Sequence, residues 1–335
     1  MANMQVFQQQ GQNNNQGDVL ASYLKVFGGE VLTAFNRKAV AYPNHKTITI
    51  ESGKSAQFPI SGRAVAKYLK AGENLDDKRT AIEHGEKLIS IDGLLTADVL
   101  IADINTAMAS ADFRKVYSDQ LGEALALSAD GAVIAEIAKL VVANKENITG
   151  LGKGLLIEKT LTADKMGISE AYGRTIVDAL LSLKAHFSKN NVPMDGRFVY
   201  MTPEGTASLV ASNIAINRDY GAVATIVDGN VTKIAGFNII EVPHLTIGGA
   251  DSVNALPKED KSEAGHVFPS AYATTAVFVA GHESAVGTLK LKDLQLETAR
   301  RPEFQADQVI AKYAMGHGGL RPEATGMLTI KQAGG

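Results

Sequence analysis

The sequence contains no cysteine and no tryptophan. The first absence excludes disulfides, thiolate metal sites and cysteine nucleophiles, and it is compatible with a reducing compartment. An excess of one charge is lacking as well: 33 basic and 36 acidic side chains leave a formal net charge of -3. A whole-chain polyanion binder is expected to be basic, and an acidic disordered chain far more negative. No run approaches the roughly 18–20 uninterrupted apolar residues of a membrane span. Residues 1–17 are rich in Gln and Asn and lack a basic start followed by an apolar stretch, so they do not read as a signal peptide. These absences predict a soluble, non-secreted protein.

What is present is ordinary in bulk and unusual in arrangement. The 335 residues, 45% of them apolar, suffice for one large domain or two to three smaller ones. Apolar spacing from Val19 to Phe35 suits a helix that Gly28-Gly29 interrupts. Thr47–Ile50 alternates polar and apolar, Ala56–Ile60 continues as an extended segment that Pro59 restricts to an edge, and Leu88–Ile91 offers a return strand. The expectation is an antiparallel hairpin with too few strands to be stable alone. Asp103 to about Val142 is proline-free and alanine-rich with helical apolar spacing. If continuous it reaches roughly 60 Å, the length of a spine rather than of a layer. Gly122 and Gly131 mark kinks or close contacts within it.

Asn144–Leu161 reads as turn-rich. Ile168–His186 reads as an amphipathic helix, Arg197–Met201 as a short buried strand, and Thr202-Pro203-Glu204 as a helix start running to about Ser212. Phe237–Val242 and Ala276–Ala280 are further strands, Thr246–His266 a loop. Strands over Gly287–Glu297 and Val309–Met315 have no local partner and are expected to pack against the long helix. No internal repeat is evident.

Between the hairpin flanks lies a charged excursion, Ser61 to Glu83, with 9 charged residues in 23. A compact domain seldom needs such a loop unless something outside holds it. Both signs occur close together at Arg63, Lys67, Lys70, Glu73, Asp76, Asp77, Lys78, Arg79 and Glu83, around apolar Val65, Tyr68, Leu69, Leu75 and Ile82. A solvated loop is the bland reading. Mixed charge around apolar anchors favours a subunit interface.

Motifs for chemistry fail on inspection. Gly53-Lys54-Ser55 resembles the end of a phosphate loop, but Ile48 stands where the first glycine belongs and a strand follows. Gly150-Leu-Gly-Lys-Gly154 has Leu155 at the third glycine position of a dinucleotide loop. His282-Glu283 lacks the second histidine of a zinc protease, since Val286 occupies it, and Ser284 lacks the flanking glycines of a nucleophile elbow. The remaining histidines show no ligand spacing. Arg300-Arg301 is too small a basic spot to hold DNA. The reading is therefore a non-enzyme with no catalytic, cofactor or metal residues.

Long strings in the chain carry a resemblance. Leu24-Lys-Val-Phe-Gly-Gly-Glu-Val-Leu-Thr-Ala-Phe35, the hairpin segments from Ser52 to Asp98, Ser284-Ala-Val-Gly-Thr288, Phe304-Gln-Ala-Asp-Gln308 and Ala311-Lys-Tyr-Ala-Met-Gly-His-Gly-Gly-Leu-Arg-Pro-Glu323 resemble the major capsid proteins of T-seven-type short-tailed phages. The match covers roughly residues 20–142 and 237–325.

The resemblance implies an α+β Hong Kong 97-type capsid fold: an N-terminal arm (1–43), an extended β-hairpin or E-loop (44–95), a peripheral domain with a spine helix (96–167 and 282–335) and a mixed α/β axial domain (168–281). It implies self-assembly into hexamers and pentamers of an icosahedral virion shell enclosing double-stranded DNA without sequence-specific binding. Scaffolding protein, portal, and tail or minor capsid proteins would be partners, assembly would take place in the host cytoplasm, and no membrane would be involved. The alternatives are a cellular nanocompartment shell of the same fold, a protease of the phage head and, disfavoured by charge, a DNA-binding module.

Overall fold

The computed structural model describes residues 31, 33–35, 38–74, 76–79, 81–102, 113–212, 226–227, 230–231, 233–242, 245 and 266–333. The Gln/Asn-rich start, most of the expected 19–35 helix, residues 103–112 of the expected spine and most of the 246–266 loop lie outside them. In chain order the strands and long helices are β1 (Lys46–Thr49), β2 (Ser55–Ser61), β3 (His84–Ser90), β4 (Leu95–Ala102), α1 (Phe113–Ala143), β5 (Leu155–Leu161), α2 (Glu170–Lys189), β6 (Arg197–Met201), α3 (Pro203–Ala211), β7 (Ile226–Val227), β8 (Asn230–Val231), β9 (Lys233–Ile234), β10 (Phe237–Glu241), β11 (Ala276–His282), β12 (Val286–Arg301), β13 (Ala306–Gly319) and β14 (Thr325–Gln332). One sheet has the order β5-β14-β11-β6-β10-β9, another β1-β12-β13-β4, and β2-β3 and β7-β8 stand as two-stranded pairs. The chain divides into two compact units, residues 1–39, 93–129 and 291–315 forming the first and 40–92, 130–290 and 316–335 the second.

In the second unit the six-stranded sheet separates two apolar clusters. Tyr172, Ile176, Leu180 and Leu183 recur at helical spacing on α2 and meet Val199, Met201, Phe278 and Leu328. Val133, Ile134, Ile137 and Val141 of α1 meet Tyr200, Val279 and Met327 from the same strands. The period of two in β6 sends Val199 and Met201 one way and Tyr200 the other. A register shift between Ala276 and Phe278 puts successive Val277 and Phe278 in the same cluster. Local caps set the helix starts: Ser169 Oγ accepts the Tyr172 N–H at 3.2 Å, and Thr202 Oγ1 accepts the Gly205 N–H at 3.1 Å with Pro203 in the first turn.

On α1, buried Asp130 accepts the N–H groups of Val40, Ala41 and Tyr42 at 2.7, 2.9 and 2.7 Å. Burial pushes its carboxyl up to about 6, against the three N–H donors that favour the charged form.

The first unit pairs β4 with β13 antiparallel, Leu95 opposite Tyr313 and Ala102 opposite Ala306. Tyr313 stacks edge-on against Phe35, ring centres 5.8 Å apart, and donates to the Leu125 carbonyl at 3.3 Å. Gly122 marks a close contact: a Cβ there would lie 2.6 Å from the Ala34 Cβ.

Two sequence expectations need correction. Thr47–Ile50 does not belong to the hairpin; β1 pairs in parallel with β12, Lys46 opposite Gly287. Alternation marks a strand but not its partner. The turn-rich reading of 144–161 conceals β5, which pairs in parallel with β14, Leu155 opposite Gly326. β5 and β14, from outside the expected 168–281 stretch, complete this sheet. As described, α1 has 31 residues, or about 46 Å.

Candidate assembly interface

The hairpin stem is β2 against β3, Ser55 opposite Ser90 through Ser61 opposite His84. Ala56, Phe58 and Ile60 alternate onto one face of β2, and Ile89 of β3 joins them. Phe58 and Ile89 are fully buried with Leu289 and Leu320 in an apolar cluster that Ile48, Ile50 and Ile91 border. Each such side chain contributes roughly 1.5–3 kcal/mol by its burial. The other face carries Leu88, exposed and opposite Gln57.

The stem comes close to β13 only because that strand ends in glycines. A Cβ on Gly316 would stand 2.0 Å from the Ser90 carbonyl oxygen, so a side chain there forces the backbones apart. Gly287 and Gly318 lie in the same way beneath Phe58 and Ile89.

A buried polar knot lies immediately beyond β3. His266 Nε2 contacts Asp92 Oδ2 at 2.7 Å, and His266 Nδ1 contacts Glu136 Oε1 at 2.8 Å. Lys139 Nζ reaches that same Glu136 oxygen at 2.9 Å. Burial alone would lower the His266 pKa, but the Asp92 and Glu136 carboxylates prevail and raise it to about 9. His317 packs edge-on to His266, ring centres 5.6 Å apart, with Nδ1 3.0 Å from Thr288 Oγ1.

Beyond the stem the chain turns outward. The Gly62 N–H donates to the Glu83 carbonyl at 2.8 Å and closes the loop base, where Ile148 packs on Gly62 and Gly85. The nine charged residues expected to form one contact set fall into separate groups. Arg63 donates to the Asn190 carbonyl at the end of α2. Lys78 bridges the Glu73 carboxylate and the Tyr68 carbonyl, the latter at 3.0 Å, and the Lys70 N–H donates to Glu73 at 2.9 Å. These donors hold the Glu73 carboxyl below its usual range. Arg79 pairs with Asp76 at 2.7 Å. Asp77 sits in the short 3-10 turn Asp76–Lys78. Lys67 has no ion-pair partner among the described residues, and Glu83 enters through its backbone.

Four of the nine charges thus pair within the loop, Lys78 with Glu73 and Arg79 with Asp76. The apolar residues of the loop are left open: Tyr68 is 99% exposed and Val65 62%, with Leu69 and Ile82 also exposed to solvent. Sequence reasoning named these apolar residues, with Leu75 outside the described residues, and missed the root beneath them. Asp92 and His266 lie 174 positions apart and His266 and Glu136 130 apart, so no local spacing could reveal the knot. Among the described residues no group of three or more His, Cys, Asp or Glu could hold a metal ion, and no helix is long and apolar enough to cross a membrane.

Comparison with known proteins bears on this architecture. The family model described as Gp10A-like, major capsid protein, matches residues 57–329. The chain is 49% identical over 347 residues to the major capsid protein of Escherichia phage T7, covering 99% of each. It is 50% identical to the major capsid protein of Enterobacteria phage T3, covering 98% of this chain and 99% of that one. Among solved structures, the capsid of the cyanophage P-SCSP1u aligns with a TM-score of 0.68 at 32% identity, covering 99% of this chain and 100% of the other.

Proposed function

The chain belongs to the Gp10A-like major capsid protein family, and from that membership we propose how it closes its shell. It is a structural protein of a phage capsid, part of the virus particle, with the Hong Kong 97-type fold of that class. A nanocompartment role is not favoured, because relatives at about half identity over the whole chain are phage capsid proteins.

In the proposed reading the β2–β3 hairpin is the E-loop, and its tip contacts a neighbouring copy of the same chain within hexamers and pentamers. One observation carries this: Tyr68, 99% exposed, stands with exposed Val65, Leu69 and Ile82 on a loop where Lys78 pairs with Glu73 and Arg79 with Asp76. Exposed apolar anchors with satisfied neighbours fit an interface core surrounded by a polar rim. Arg63, Lys67, Lys70, Glu73, Asp76, Asp77, Lys78, Arg79 and Glu83 make that rim. The assembly-level division is an arm over 1–43, the E-loop region over 44–95, a peripheral part over 96–167 and 282–335, and an axial part over 168–281. Scaffolding protein, portal and tail or minor capsid proteins join the shell in the host cytoplasm. The near-neutral chain encloses double-stranded DNA without holding it tightly.

The test is a Tyr68→Ser, Leu69→Ser double variant, purified as a subunit and offered scaffold under assembly conditions. Expected are unchanged circular dichroism and melting, with loss of closed shells in electron micrographs and sedimentation. Normal shells in normal yield would refute the interface role of the tip.

A further inference from the structure

The polar knot behind the hairpin is not needed to bury the stem, which the apolar cluster already does. It brings together four charged side chains from three parts of the chain, and a fifth titratable group, His317 of β13, faces it. Asp92 lies two residues past the end of β3 and is the last residue of the second unit before the chain leaves it at Gly93. Glu136 and Lys139 project from α1, and His266 stands on the segment leading into β11.

Burial raises the Asp92 carboxyl while His266 beside it favours the charged form; with both carboxylates ionised, the geometry calls for a doubly protonated ring. Each ring nitrogen of His266 lies within 2.7–2.8 Å of a carboxylate oxygen. Ionised carboxylates only accept, and a neutral imidazole has a single N–H. One contact would then set lone pair against lone pair in a buried site. A doubly protonated ring satisfies both. With Lys139 on Glu136 the knot holds two cations against two anions. Losing the imidazolium proton leaves an uncompensated buried negative charge.

We propose that Asp92, His266 and Glu136 form an ionic latch that fastens the root of the hairpin to α1 and to the entry of β11. The latch sets where the returning leg of the hairpin departs, since Ile91, just before Asp92, is tied by its N–H to the Lys54 carbonyl at 2.8 Å. His266 is thus a positioning residue for the tip. His317, which burial pushes down to about 3, stays neutral beside it and adds no competing charge. Because the His266 pKa is raised to about 9, the latch is closed at neutral pH, and the stability it contributes is lost as pH rises from the free-histidine value through about 9.

The inference concerns the folded subunit and stands whether or not the tip touches a neighbour. It is tested by hydrogen exchange on the full-length free subunit, corrected for intrinsic rates, with α2 (Glu170–Lys189) as internal reference. In the wild type the amides of His84–Ser90 should lose protection by about tenfold between about pH 7 and about pH 10, while α2 changes little. His266→Gln and the milder Asp92→Asn should show that loss already near pH 7 and no further step. Stem protection in the wild type that is flat across this range, or a pH step that persists in both variants, overturns the latch.

Discussion

The two ends of one hairpin are built by opposite rules. At its root, side chains are buried and partners come from distant segments: Phe58 and Ile89 against Leu289 and Leu320, Ser90 on Gly316, Asp92 on His266. At its tip, past Arg63, the side-chain partners are ten or fewer positions away, as in Lys78 with Glu73 and Tyr68 or Arg79 with Asp76, and the apolar residues are left to solvent. The root is thus a folding device, and the tip carries the contact we propose with a neighbouring copy. Mutations at the root should be read in subunit stability, and mutations at the tip in assembly.

The largest separation should come from Phe58→Ala set beside Tyr68→Ala. Phe58 is fully enclosed, and deleting a buried aromatic ring costs about 3–5 kcal/mol. Tyr68 is 99% exposed, so its truncation should move subunit stability by no more than about 0.5 kcal/mol. Urea unfolding of the two free subunits measures both. Equal destabilisation would erase the distinction between root and tip.

Acid gives the next effect, again confined to the root side. Burial pushes His317 down to about 3 and His45, whose Nε2 lies 3.0 Å from Tyr200 Oη, down to about 4. Below the free-histidine value the unfolded chain takes up protons that the folded chain refuses. The stability these groups contribute is therefore present at neutral pH and lost as pH falls through about 4 and then about 3. Each histidine should contribute up to about 1.4 kcal/mol per pH unit to that slope. Asp130, whose carboxyl burial raises to about 6, takes up its proton first in the folded state and opposes this pull. The measured quantity is therefore a difference: between about pH 6.5 and about pH 4.5, His317→Gln should lose less stability on acidification than the wild type. An unchanged slope in that variant would show that His317 does not set it.

What the sequence made legible follows the same division. β6 and α3 could be read nearly to the residue because their signals are local: an apolar run, then Thr202 as cap and Pro203 in the first turn. The stem was legible as an extended segment over Ala56–Ile60, held to an edge by Pro59, with Leu88–Ile91 as its return. Partnership was not. Thr47–Ile50 has the right pattern, but nothing local says that it pairs with β12 rather than with the hairpin. β5 was hidden by glycines at 150, 152 and 154, and its partner β14 begins at Thr325. Gly316-His317-Gly318-Gly319 follows Met315, where the strand read from the sequence ended. Its physical meaning, room for Ser90 and Ile89 to approach, exists only once the chain has folded. The nine charges of the excursion were legible as residue types of both signs. Which of them pair, Lys78 with Glu73 and Arg79 with Asp76, depends on the loop's conformation, which composition does not fix.

The smallest effect on the subunit sharpens the comparison most. Asp76 and Arg79 form a pair in which both side chains are mostly exposed, and such pairs are worth about 0–1 kcal/mol. Exchanging them, Asp76→Arg with Arg79→Asp, preserves one cation and one anion at the same spacing. Subunit melting should therefore be unchanged. The field presented outward is nevertheless reversed over that part of the tip. If the rim meets a complementary surface on a neighbouring copy, like charges now face each other, and such juxtaposition slows or misdirects docking. The swapped subunit should assemble more slowly than the wild type, and the defect should shrink as salt is raised, because exposed charges are screened beyond roughly 10 Å at about 0.1 M. Turbidity or light scattering at two salt concentrations measures this. A swap that assembles at the wild-type rate at low salt would confine the tip's role to its apolar residues and leave the ion pairs with a purely local task, holding Tyr68 and Leu69 in position.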